Sequence, residues 1–149
     1  VVELFQAGAA ERGIELRLQA AAGLPSVAID PEAVHRCLMD LVGNALDACS
    51  AAGFSREAPG GAVLLDVGYA PERITYRVAD NGCGIPEGTL PKLFSAFFST
   101  KGEHGSGLGL MAVKKTVQAH GGSIDVRSTQ DEGSEFIITI PLQCDNKNA

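Results

Sequence analysis

The residues best suited to chemistry are a glycine run, an amide and a few carboxylates. Gly105-Ser106-Gly107-Leu108-Gly109-Leu110 has alternate glycines running into a helical pattern. A helix start carries unpaired N–H groups and the positive end of the helix dipole, and glycines let a phosphate approach the backbone there. The run therefore reads as a phosphate-holding turn or as a plain flexible joint, and the glycines alone do not decide between them. Asn44 is a hard oxygen donor that could complete a Mg2+ shell with phosphates and waters, or simply a satisfied helix polar group. Asp40, one turn earlier, could orient water near a metal or pair with Arg36 at i, i+4. Asp47 reads as a solvated acid. Asp80 stands before Gly82 and Gly84, where a carboxylate could accept from an exocyclic amine and so select adenine over guanine. Gly82 would then let a base lie against the backbone; the same Asp-Asn-Gly is also excellent turn material.

Further along, Phe94, Phe97 and Phe98 precede Ser99-Thr100-Lys101 in a long connection. They read as anchors of a movable lid and as a satellite core cluster, with Lys101 as the candidate phosphate cation. His104 reads as a solvated lid residue, His35 has no evident partner, and His120 sits at a helix end, where the dipole favours a cation. No Ser/His/Asp or Cys/His set can be assembled.

The elements that must position these groups follow from periodicity. Residues 1–12 form a short helix with Val1, Val2, Leu4, Phe5 and Ala9 apolar, ended by Gly13. Residues 14–20 alternate as a half-buried strand with Ile14, Leu16 and Leu18 inward, and Val27-Ala28-Ile29 reads as a second short strand. Asp30-Pro31-Glu32 is a strong helix start. The helix is expected to reach Ser50 or Ala51 on a stripe of Val34, Cys37, Leu38, Leu41, Val42, Ala45, Leu46 and Cys49. Residues 62–70 and 73–79 read as a hairpin, followed by a connection over 86–104 with a helical turn or two at 90–96. A helix follows the glycine run with Leu108, Met111, Ala112, Lys115, Thr116 and Ala119 on one side. Strands at 123–128 and 135–141 close the domain. The layout is α+β, a two-layer sandwich with a mixed, mostly antiparallel sheet covered on one face by helices. It is neither a Rossmann unit nor a Walker P-loop, since no strand leads into the glycines and no G-K-[ST] follows them.

Composition sets the wider limits. The chain has 149 residues, 45% hydrophobic and 20% charged, with a formal net charge of -6 and no Trp. One domain over 1–142 with a polar tail at 143–149 is expected. The acidic balance argues against nucleic acid or an anionic membrane as partner. Cys37, Cys49, Cys83 and Cys144 are scattered, so neither a metal cluster nor a disulfide framework is expected and a reduced, cytoplasmic setting fits. No apolar run reaches membrane-spanning length. The abrupt Val1-Val2 start suggests a domain cut from a longer protein.

Taken in order, the motifs resemble a known family. Asp40-Leu41-Val42-Gly43-Asn44-Ala45-Leu46-Asp47-Ala48 resembles the Asn box of the histidine-kinase catalytic domain. Asp80-Asn81-Gly82-Cys83-Gly84-Ile85 is similar to its D-x-G-x-G box, and Leu93 to Lys101 to its Phe box. Gly105 to Leu110 looks like its G-x-G-L-G-L box, and Gly133-Ser134-Glu135-Phe136 like its closing G-T-x-F, with Ser for Thr. The resemblance implies the Bergerat ATP-binding fold shared with gyrase, heat-shock chaperone and mismatch-repair ATPases, with ATP and Mg2+ as ligands. It implies Mg2+ on Asn44 and the adenine amine on Asp80 with help from Ser134. It further implies a nucleotide site lined by Asp47, Ala48, Gly82, Gly84, Ile85, Thr100, Lys101, Gly105, Ser106, Gly107, Leu108, Gly109 and Leu110. Asn44, Asp40 and Lys101 would serve the transfer step. The subgroup looks most like nitrogen-regulation and dicarboxylate-sensor kinases. Asp47 departs from the Lys or Arg common three residues after the box Asn, and Asp40 from a second Asn. The implied activity is protein-histidine kinase, donating the γ-phosphate to a His on a separate dimerisation domain, with a response regulator downstream. The domain would be monomeric and its parent dimeric, the domain cytoplasmic and without direct membrane contact. Alternatives on the same fold are an anti-sigma-type serine kinase, an ATPase clamp and an ATP-sensing module.

Overall fold

The computed structural model describes residues 1–24, 27–94 and 109–142. The elements run α1 (Val2–Glu11), β1 (Ile14–Ala20), α2 (Pro31–Ala51), β2 (Gly61–Ala70), β3 (Arg73–Asp80), a 3-10 turn (Glu87–Lys92), α3 (Gly109–Ala119), β4 (Ser123–Thr129) and β5 (Gly133–Pro141). The five strands lie in the order β1-β2-β3-β5-β4. β1 and β2 are parallel, joined through α2; every other pair is antiparallel.

Strand alternation fixes which face the helices cover. Ile74, Tyr76 and Val78 of β3 are buried, as are Phe136, Ile138 and Ile140 of β5 and Val63 and Leu65 of β2. The opposite face carries the polar residues Asp66, Arg77 and Glu135, with Arg77 ion-paired to both acids at 3.6 and 3.4 Å. α2 lies on the apolar face and buries the full stripe expected of it, Val34 through Cys49. Asp30 caps α2 by accepting from the Glu32 and Ala33 amides at 3.1 and 3.2 Å, and Pro31 occupies the first turn, where its missing N–H costs nothing.

Several expectations fail, each for a local reason. Val27-Ala28-Ile29 is no strand: it has no ladder partner, and Val27 and Ile29 pack on the core from an irregular segment. Leu18 continues the inward row of β1 but is 58% exposed, since the helical layer stops at Leu16; Leu4 of α1 is likewise exposed. A 3-10 turn at Glu87–Lys92 overlaps the start of the helical turn expected at 90–96, of which residues 95 and 96 lie outside the described residues. In α3 the buried side is Val113 and Val117, with Leu110 beside them, while Ala112, Lys115 and Ala119 are exposed. The branched residues, not the small and long-chain ones, define the buried stripe. His120, at the end of α3, has Nδ1 2.8 Å from the Thr116 carbonyl and Nε2 3.3 Å from the Asp30 amide, contacts that tie the end of α3 to the cap of α2.

Candidate functional site

A polar row crosses an otherwise apolar sheet face. Asp80 follows Val78 on the inward side of β3, Ser134 precedes Phe136 on β5, and Ser128 follows Val126 on β4. Asp80 pairs with Ser134 and Ser134 with Ser128. The next row inward is Val78, Phe136 and Val126. Three strands thus change from apolar to polar at one register, on the face that the helices cover.

The row is hydrogen-bonded throughout. The Asp80 carboxylate accepts the Gly82 amide through Oδ1 at 2.8 Å. Burial pushes its pKa up from the ordinary value of 3.8, while the Gly82 and Ser134 amides pull the other way. Ser134 is buried, 8% exposed, the one polar side chain so buried among the described residues. Its Oγ lies 2.9 Å from Ser128 Oγ, which donates to the Gly133 carbonyl at 2.9 Å and accepts the Ile85 amide at 2.8 Å. With the Ser128 proton committed to Gly133, Ser134 is the donor of that pair.

The loop after Asp80 is stitched to α2. A Cβ on Gly82 would fall 2.5 Å from the Ala48 carbonyl carbon and 2.7 Å from the Cys49 amide nitrogen, so only glycine permits this approach. The packing reason for Gly82 is thus the helix backbone. Cys83 donates its amide to the Ala48 carbonyl at 3.1 Å and accepts the Asp131 amide at 2.7 Å. Gly84 and Gly133 have positive φ, 66° and 138°, and each packs on backbone, Gly84 on Thr129 and Gly133 on Asp80. Asn81 accepts the Ala62 amide at 2.8 Å and donates to the Gly60 carbonyl at 3.0 Å. The buried Cys49 thiol also reaches Asn81 Oδ1, at 3.6 Å, and desolvation raises its pKa to about 11, so it stays protonated and unreactive.

On α2, Asn44 and Ala48 are one turn apart, about 6 Å along the axis. Both are half-buried, as are Asp40 and Asp47. Asp47 is not a simply solvated acid: Arg12, at the end of α1, pairs with it at 3.0 Å. Gly109 and Leu110 open α3, half-buried. Phe94 follows the buried Leu93 and lies under Lys114 of α3, whose Nζ is 5.4 Å from the ring centroid. This contact sets Phe94 against α3. Thr100, Lys101, Gly105, Ser106, Gly107 and Leu108, with Phe97, Phe98, His104 and the tail, lie outside the described residues. The structure therefore brings together Asp80, Gly82, Gly84, Ile85, Ser134, Ala48 and the turn of α2 that carries Asn44.

Three residues of this arrangement are not singled out by the sequence motifs. Ser128 was legible in the alternation Ile124, Val126, Ser128, which breaks polarity at the register of Ser134. Asn81 and Arg12 had no such signal, because their partners are distant in sequence. A depression of about 600 Å³ also lies on the sheet, reaching from Arg17 and Gln19 of β1 to Leu64 and Ala79. It is mainly on the face away from the helices and meets Asp80 only at its edge, so the inward polar row is the better candidate.

The class that this fold and site define is shared by known proteins. Residues 29–144 match the family model for histidine kinase-, DNA gyrase B- and HSP90-like ATPases, and the chain belongs to that family. Among its relatives, the sensor histidine kinase ZraS of Escherichia coli is 31% identical over 147 residues, 99% of this chain and 30% of the relative. The sensor protein FixL of Bradyrhizobium diazoefficiens is 33% identical over 140 residues, 94% of this chain and 26% of the relative. This chain thus spans under a third of either protein. Among solved structures, full-length ShkA in complex with AMPPNP superposes with a TM-score of 0.81 at 30% identity, over 95% of this chain and 28% of that one. The catalytic domain of the histidine kinase ThkA gives 0.78 at 27% identity, over 93% of this chain and 87% of that one.

Proposed function

We propose that this chain is the ATP-binding catalytic domain of a sensor histidine kinase. The observation that carries the reading is the inward polar row of Asp80, Ser134 and Ser128, set where the 82–84 loop packs on α2 beside Asn44. Likeness along almost the whole chain to sensor histidine kinases, one solved with AMPPNP, supports it.

In this reading the Asp80 oxygen not engaged by Gly82 accepts the adenine amine, and Ser134, held by Ser128, borders the base with Ile85, Gly84 and Ala48. Asn44 offers one hard oxygen. Among the described residues no group of three or more His, Cys, Asp or Glu could hold a metal. That suits a Mg2+ that arrives with the nucleotide and keeps phosphate and water ligands. Asp40 and Asp47 flank Asn44, while Gly105, Ser106, Gly107, Leu108, Gly109 and Leu110 serve the phosphate end. Thr100 and Lys101 supply a hydroxyl and a cation there. The protein's work in phosphoryl transfer is positioning and charge neutralisation.

The acceptor is a His of a dimerisation and phosphotransfer domain outside this chain, and a response regulator takes the phosphoryl group from it. The chain acts as a monomeric cytoplasmic unit of a dimeric parent and does not bind nucleic acid or a membrane surface. No helix among the described residues is long and apolar enough to cross a membrane. The test mixes the chain with a helical phosphotransfer domain from a relative and γ-labelled ATP. Acid-labile, alkali-stable label on that domain is expected. ATP binding without transfer would favour a sensing or clamp module, and acid-stable label a serine kinase.

A further inference from the structure

Arg12 closes α1 and reaches across to the later half of α2. Its Nε donates to Ser50 Oγ at 2.8 Å, and its Nη2 donates to the Leu46 carbonyl at 3.1 Å and to Asp47 Oδ1 at 3.0 Å. All three acceptors lie within about one helical turn. The two charged side chains are 35% and 43% exposed, so the pair stands at the rim of the fold rather than in its core.

Asp47 is the third residue after Asn44, and residues three apart on a helix are neighbours, with Cβ atoms about 5–6 Å apart. The inference rests on the function proposed above, in which Asn44 faces the triphosphate. Without Arg12, the Asp47 carboxylate would carry its charge close to the most negative part of the ligand. The fork of Arg12 draws the Asp47 carboxylate toward the end of α1 and cancels its charge.

We propose that Arg12 is a positioning residue of the ATP site, acting through Asp47: it holds and neutralises an acid that stands three residues from Asn44, drawing its charge away from the phosphates. α1 thereby becomes part of the nucleotide site although none of its residues lines it. The effect belongs to the phosphates and leaves recognition of the base untouched.

The test is calorimetric titration of the chain with Mg-ATP and, separately, with adenosine. Arg12→Met keeps the aliphatic stem and removes the charge. It is expected to weaken Mg-ATP by about tenfold and adenosine by less than about twofold. Arg12→Met combined with Asp47→Asn is expected to return to the affinity of Asp47→Asn alone. The ATP loss should shrink in 1 M salt, where the Debye length is about 3 Å. Arg12→Lys keeps the charge without the fork and should hold Mg-ATP within about threefold of the parent, which keeps the question open to measurement if the Met variant is poorly folded. Equal losses for ATP and adenosine, or no recovery on removing the Asp47 charge, would overturn the proposal and leave Arg12 as a structural tie. A parent chain that binds neither ligand would overturn the ATP-site reading itself.

Discussion

Asp80→Asn separates the chemistry of this site from its stability. Oδ1 of Asp80 is fixed by the Gly82 amide at 2.8 Å. Asparagine keeps that bond by placing its own oxygen there, which turns Nδ2 toward the ligand. The adenine amine then meets a donor where it had an acceptor. A hydrogen bond to a charged group contributes about 1.5–3 kcal/mol, so ATP affinity should fall by roughly ten- to a hundredfold or more. Guanine presents a carbonyl at that position and gains a partner from Nδ2, so GTP affinity should hold or rise. Stability should move the other way. Burial raises the Asp80 pKa, so this group stabilises the fold below the ordinary carboxylate range and loses that contribution as pH rises through the raised value. Asparagine has no charge to desolvate, so the variant should melt no lower than the parent at neutral pH. Its melting temperature should also lack the parent's decline between pH 3.8 and the raised pKa. Calorimetry with ATP and GTP, beside thermal melts across that range, reads both effects. Equal losses for the two nucleotides would refute the adenine contact. A large drop in melting temperature at neutral pH would refute the desolvation argument.

Other outcomes follow from the same geometry. Asn44→Ala should weaken Mg-ATP by about tenfold or more while leaving affinity in EDTA nearly unchanged, as isothermal titration in both buffers would show. Gly82→Ala forces a methyl against the Ala48 backbone, and denaturant unfolding should report a loss of about 1–3 kcal/mol. Gly109→Ala meets nothing within 4 Å among the described residues, and Gly109 has no positive φ. Its fold stability should hold or gain up to about 1 kcal/mol; a simultaneous loss of ATP affinity in titration would report close phosphate approach at the head of α3. Ser128→Ala strips the partner from the Ile85 amide and from Ser134 Oγ, at a cost of about 1–3 kcal/mol in unfolding experiments.

Local signals in the sequence sufficed for α2 and most of the sheet. Asp30-Pro31 starts α2 by chemistry internal to four residues, and the α2 stripe repeats over enough turns to leave one phase. The hairpin of β2 and β3 turns at Pro71-Glu72, where proline suits a turn. α3 misled because Ala112, Lys115 and Ala119, spaced three and then four residues apart, make a second apparent stripe, and only packing against α2 and the sheet selects Leu110, Val113 and Val117. Val27-Ala28-Ile29 looked like a strand because β-branched residues favour strands, yet a strand needs an edge to join, and β1 pairs with β2 instead. At the candidate site, motif and spacing single out Asn44 and Asp80. The ties around them are not legible in the sequence, because Arg12 to Asp47, Asn81 to Ala62 and Ser128 to Ile85 join residues remote in sequence. The true neighbour of Gly82, the Ala48 backbone, is likewise a product of the fold.

The proposed function puts ATP on the inward polar row between β3, β5 and α2, and amide chemical shifts followed by NMR during titration with Mg-ATP show whether it binds there. The amides of Gly82, Ile85 and Ser134 should move together and saturate with one affinity, while those of Arg17 and Leu64 on the outer face stay in place. Saturable shifts confined to Arg17, Leu64 and Ala79 would put the nucleotide on the outer depression and contradict the claim.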